Sequence, residues 1–216
     1  MPSEFDLTSI EESLRDFQAE FWAINARLSV KREELTDEML ANILCAYRYL
    51  NELMAKDVDL FSLAGLHSMV ELNHRVLCGD ETRKRFEFHR HVLETRKKFH
   101  KRIRPIRAWM LKNAGRLDPY KIGAGFYCRM LCQPQLFIEG NHRTGNLVLN
   151  YLLLREGQKL LVVNSENAFD YLELSGAIKF TNVKRWSDNL LKMPSHYGNF
   201  EAFLRRFTRG GYYREG

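Results

Sequence analysis

The chain of 216 residues reads as a mainly α protein, and three observations carry that reading. Glycine and proline are sparse, at 13 and 5 residues. Apolar residues recur mostly at spacings of three and four, the period of a helix face. The candidate helices also carry start and stop signals at their ends. Strand signals are rare, and the one strand expected is a short apolar run at 159–163. A hydrophobic fraction of 45% suffices for one domain with a sizeable core. A single domain over 1–216 is therefore expected, with packing helices in 1–58, the core in 60–180, and further helices and a tail in 181–216. No apolar run approaches the roughly 20 residues that a membrane span needs. The first residues, Met1-Pro2-Ser3-Glu4-Phe5-Asp6, are acidic and polar and lack a secretory pattern. The expected setting is cytoplasmic, without a membrane partner.

Taken in order, Thr8 with Glu11 three places on makes a capping box for a first helix, which carries Leu14, Phe17, Phe21 and Ile24 on one side. Thr36 opens a second helix, with Asp37 and Glu38 in its first turn, where carboxylates suit the positive end of the helix dipole. Met39, Ile43, Tyr47, Leu50 and Met54 follow at helical spacing. A third helix covers 60–78 and stops at Gly79, a residue suited to a left-handed C-cap. Segment 81–113 makes one or two long helices, with Phe86, Val92, Phe99 and Ile103 as apolar positions and Pro105 as a kink or break. Asp118-Pro119 reads as N-cap and first helical residue of a helix that holds Ile122, Phe126, Met130 and Leu131 and ends near Gln133-Pro134. The run from Leu147 to Leu154 is apolar nearly all round, the mark of a central buried helix, and stops at Gly157. Short helices are expected around 168–180, 183–191 and 200–207. The tail 210–216 is expected to be mobile or tied down by Tyr212 and Tyr213.

The net charge of +6 is unevenly spread. Segment 81–113 holds twelve Lys or Arg against three acids, a net of +9, which leaves −3 for the rest of the chain. Such a run reads first as a solvated helix face, and otherwise as a surface for nucleic acid or an acidic protein. His89, His91 and His100 within it have poor helical spacing for a metal site and read as surface residues. Cys128 and Cys132 stand four apart on one helix face, not in a C-x-x-C knuckle, so all four cysteines, with Cys45 and Cys78, read as buried free thiols. Neither zinc nor flavin is expected. The aromatics Tyr120, Phe126, Tyr127, Tyr151 and Phe180 read as core rather than as a base-stacking platform.

The stretch Phe137-Ile138-Glu139-Gly140-Asn141-His142-Arg143-Thr144 joins a loop to the central helix. The first N–H groups of a helix have no internal partners and lie at its positive end, so an anion can be held there. Gly140, Asn141, His142, Arg143 and Thr144 are the candidate phosphate-binding residues, with Arg143 as clamp. Glu139 is the candidate holder of Mg²⁺ carried with a nucleoside triphosphate.

On these residues the chain resembles the Fic, or Fido, domain family, whose signature is H-x-F-x-[DE]-G-N-[GK]-R. Phe137, Glu139, Gly140, Asn141 and Arg143 match it in correct spacing, with Phe137 as the packing residue. The resemblance covers roughly 60–180 and is specific only at the motif. Upstream, 66–79 is loosely similar to the helix before that family's target-docking flap. The family implies a helical domain that moves a nucleotidyl or phosphoryl group onto a protein hydroxyl, with a histidine as general base. Here that position is Gln135, whose amide can hydrogen-bond a hydroxyl but cannot take its proton. General-base catalysis is worth about 10² to 10⁴ in rate, although phosphoryl transfer draws mostly on positioning and electrostatics. His142 stands in place of a small glycine and Asn146 in place of a second arginine, departures that bring the chain nearer the kinase-like Doc branch. His142 reads as a phosphate or helix-capping donor. A partial match to the family's inhibitory signature at 8–12 is explained as well by the capping box. The expected function is an anion-holding, catalytically silent or redirected site. The alternative is an active transferase with Gln135 positioning the acceptor.

Overall fold

The computed structural model describes residues 3–214, and its described residues form nine α-helices and one two-stranded antiparallel sheet. A first strand, β1 (Glu4–Phe5), leads directly into α1 (Leu7–Arg27). The cap of α1 is Asp6 rather than Thr8: its carboxylate accepts from the Thr8 N–H at 3.1 Å, so the helix opens one residue before the expected cap. The second helix, α2 (Asp37–Ala55), is capped as expected by Thr36, whose hydroxyl accepts from Met39 N–H at 3.2 Å.

Residues 60–64 are turns, so α3 runs only over Gly65–Cys78. It stops at Gly79, with φ of 62°. The basic segment divides into α4 (Thr82–Glu87) and α5 (His89–Asn113), and α5 continues through Pro105 without a break. Next comes α6 (Pro119–Leu131), with Asp118 capping it and Pro119 in its first turn, and then the motif loop. The central helix is α7 (Asn141–Arg155), packed against α6, α3 and α2. Gly145 permits the close approach of α6, because a Cβ there would sit 2.5 Å from Met130 Sδ.

The expected strand at 159–163 is not one. Asn150 in α7 captures this segment through its side chain, donating to Leu161 O at 2.8 Å and accepting from Leu161 N–H at 2.9 Å. Ladder pairing is limited to a single bridge between Leu160 and Arg209. The eighth helix, α8, is Ala168–Phe180, as the sequence predicts. The helix expected at 183–191 opens after a turn at 183–185, is helical from 186, and passes through a π-helix at Asp188–Lys192 into α9 (Met193–Phe207), which starts earlier than expected.

The second strand, β2 (Tyr213–Arg214), pairs with β1, so Tyr212 and Tyr213 do tie the tail down. Of the expected N-terminal segment and tail, positions 1, 2, 215 and 216 lie outside the described residues. Phe126, Tyr127 and Tyr151 are core residues, but Phe180 is 60% exposed, contrary to expectation. One hydrophobic core runs from Phe5 to Tyr212. All four cysteines are free and buried, and burial pushes the Cys132 thiol up to about 11. No helix among the described residues is long and apolar enough to cross a membrane.

Candidate functional site

Phe137 fixes the motif loop from below: it is buried and stacks on Phe99 of α5 with ring centroids 5.3 Å apart. Its carbonyl accepts from Lys98 Nζ at 2.7 Å and from Asn141 Nδ2 at 3.1 Å, while its N–H donates to Asn141 Oδ1 at 2.9 Å. The Asn141 side chain thus closes the loop and is not available to a ligand. Asn73, fully buried on α3, donates to Glu139 O and to Thr144 Oγ1, both at 3.0 Å. Gly140 turns the chain with φ of 70°, a region that favours glycine, and a Cβ there would lie 3.0 Å from Asn73 Nδ2.

From Gly140 the helix starts abruptly. Thr144 N–H donates to Gly140 O at 2.9 Å, the first bond of the helix. Among the described residues the N–H groups of Asn141, His142 and Arg143 have no partner, as the geometry of a helix start dictates. They open on a cavity of about 430 Å³ bounded by α1, α2, the connection between them, the motif and α8.

Most of the sequence-predicted residues line this cavity: Gln135, Glu139, Gly140, Asn141, His142 and Arg143. Thr144 does not. It is fully buried, its hydroxyl accepts from Asn73 and its N–H is spent inside the helix, so it is a structural residue rather than a ligand group. Arg143 Nη1 donates to Val76 O at 3.2 Å, which fixes the guanidinium against the end of α3. Asn146 donates to Leu161 O at 3.2 Å and so belongs to the scaffold of the 160–163 segment.

His142 has both ring nitrogens buried and without a partner among the described residues. Burial, reinforced by the positive charges of Arg32, Lys179 and Arg143, pushes its pKa down to about 3. The ring is therefore a neutral imidazole at neutral pH, able to offer one N–H to an anion but no positive charge. A base with so low a pKa is poorly matched to abstracting a proton near pH 7.

Arg32 and Lys179 escaped sequence reading because they come from the α1–α2 connection and from α8, far from the motif in the chain. Arg32 Nη2 donates to Leu172 O at 2.7 Å, and its Nε is buried without a partner. Gly176 on α8 leaves room for this guanidinium, since a Cβ there would collide with Arg32 Nη2. Glu33, Glu34 and Glu139 also reach the cavity, but all three are exposed at its rim. Glu139 fits a Mg²⁺ that arrives with phosphates, because such ions take only one or two protein carboxylates. The described residues contain no group of three or more ligating side chains arranged for a standing metal site.

No family model, curated protein or solved structure matches this chain.

Proposed function

We propose that the protein is a divergent Fic-like domain that holds a phosphate-bearing anion, such as a nucleotide, against the start of α7, without ordinary AMP transfer. The observation that carries this reading is the convergence of three unpartnered N–H groups, the half-buried Arg143 and the single ring N–H that a neutral His142 offers on one cavity. Unsatisfied buried donors are costly, and an anion would satisfy several of them together. Gln135 lines the same cavity with no hydrogen bond from its side chain among the described residues, so its amide is free to orient an acceptor hydroxyl but not to deprotonate it. Mg²⁺ with a nucleoside triphosphate would engage Glu139.

Calorimetric titration with Mg²⁺-ATP, pyrophosphate and inorganic phosphate tests this. Saturable binding is expected, weakened at least about tenfold in Arg143→Ala, as fits loss of one charge-assisted contact. Absence of binding by all three would overturn the site assignment. Transfer of labelled phosphate by Gln135→His alone would support a silenced scaffold, whereas transfer by the parent chain that vanishes in Arg143→Ala would favour the active transferase.

A further inference from the structure

Beyond the helix start, the cavity changes character. Its far walls are Leu14, Phe17 and Phe21 of α1 and Met39, Ile43 and Tyr47 of α2, and most of these are almost wholly shielded from solvent while still facing open volume. The tyrosine hydroxyls around the chamber each have a partner. Tyr47 Oη accepts from Asn150 at 2.8 Å, and Tyr171 Oη lies between Tyr127 Oη at 2.7 Å and His142 O at 3.4 Å. Asn146 is tied to Leu161 and the Val162 carbonyl to Asn167. Apart from the Gln135 amide and the Tyr47 O–H, few side-chain groups in this chamber are left to satisfy the hydroxyls of a ribose or the edges of a base, and burying such groups unpaired is costly.

The charges sit at one end only. Arg143, Arg32 and Lys179 are partly buried there beside the neutral His142, while the carboxylates of Glu33, Glu34 and Glu139 face water. The more screened acids weigh less on a bound anion than the less screened cations do.

We infer that the cavity takes an amphiphilic anion: a phosphate monoester head held by the start of α7 with His142, Arg143, Arg32 and Lys179, and an aliphatic or aryl body seated between α1 and α2. The inference rests on the anion site proposed above and narrows its ligand away from nucleotides. A few placed polar groups at the mouth of an apolar chamber of this size are the usual form of a small-molecule site.

The test is a series of n-alkyl phosphates from methyl to hexyl, titrated calorimetrically beside inorganic phosphate and AMP. Affinity should rise about fourfold per methylene, the factor given by burying one CH₂, with one-to-one stoichiometry and competition by inorganic phosphate. Met39→Trp, which fills the chamber from a partly exposed position, should flatten the series while leaving inorganic phosphate binding in place. Two results in the unmodified protein overturn the inference and spare the anion site: inorganic phosphate binding with no gain along the series, or AMP binding more tightly than hexyl phosphate. No binding by any phosphate would overturn both.

Discussion

His142 is the residue on which the site's pH behaviour turns. Its folded pKa of about 3 lies below the ordinary 6.5, so between those values the unfolded chain binds a proton that the folded chain refuses. The stability held above pH 6.5 is therefore lost progressively as pH falls toward 3. By pH 5 this one ring accounts for a loss of up to about 2 kcal/mol, at 1.36 kcal/mol per pKa unit. His74 and His196, also depressed chiefly by burial, act in the same direction. In His142→Gln, the drop in urea midpoint between pH 7 and pH 5 should be smaller than in the parent by the equivalent of that energy. An equal drop in both proteins would show that the ring is solvated in the folded state. At this scale the sequence was partly informative. The spacing of Phe137 to Arg143 exposed the helix start, but an isolated histidine letter does not reveal that both of its nitrogens are dry. Nor could Thr144 be recognised as structural before Asn73, an asparagine on an otherwise apolar helix face, was found against it.

Among the elements, α8 contributes to the cavity by what it lacks. Gly176 seats the Arg32 guanidinium, so Gly176→Ala displaces that side chain. The same change favours the helix by about 0.5–1 kcal/mol. Anion affinity is expected to fall in Gly176→Ala about as far as in Arg32→Ala, while the unfolding midpoint holds or rises. Titration and urea melts of the two variants check this, and a Gly176→Ala protein with undiminished affinity would remove Arg32 from the site. The helices themselves were largely legible: Thr36, Gly79, Asp118-Pro119 and Gly157 mark their ends by local chemistry that needs no tertiary context. The 159–163 run, the π-helix and the two terminal strands were not. The 159–163 run looks like a strand because its residues are apolar, but its partner is a side chain, Asn150, which alternation cannot announce. The π-helix has no distinct apolar period. The strands at the chain ends, of two residues each, are too short to carry one.

Over the whole molecule, the basic segment proves to be partly scaffold. Lys98 holds the motif loop, Arg107 Nε donates to Phe61 O at 2.6 Å, and Arg85 pairs with Glu71. Arg83, Arg90, Arg96, Lys97, Lys101, Arg104 and Lys112 remain exposed, in keeping with a solvated face. The ends of the chain are joined at Asp6. It caps α1, accepts from Arg214 at 3.2 Å, and donates its N–H to Tyr212 O at 2.9 Å. The Arg214 hydrogen bond leads in holding the Asp6 carboxyl below its ordinary value, so the stability it adds is present above the unfolded pKa and lost in acid. Asp6→Ala is expected to cost about 1 kcal/mol through the cap, and Asp6→Asn less, because an amide still caps. Urea melts at pH 7 separate the two, and equal losses would assign the effect to the Arg214 pair instead.

The lacing of α1 reaches further than its end. Ser13 meets Tyr212 at 3.0 Å, Asp16 accepts from Ser165 N–H at 2.8 Å, and beyond its last turn Ser29 N–H donates to Glu173 at 2.6 Å. A wall fastened at its head, its middle and its foot does not swing outward. On this side the width of the cavity is therefore set by contacts that a guest has no part in making.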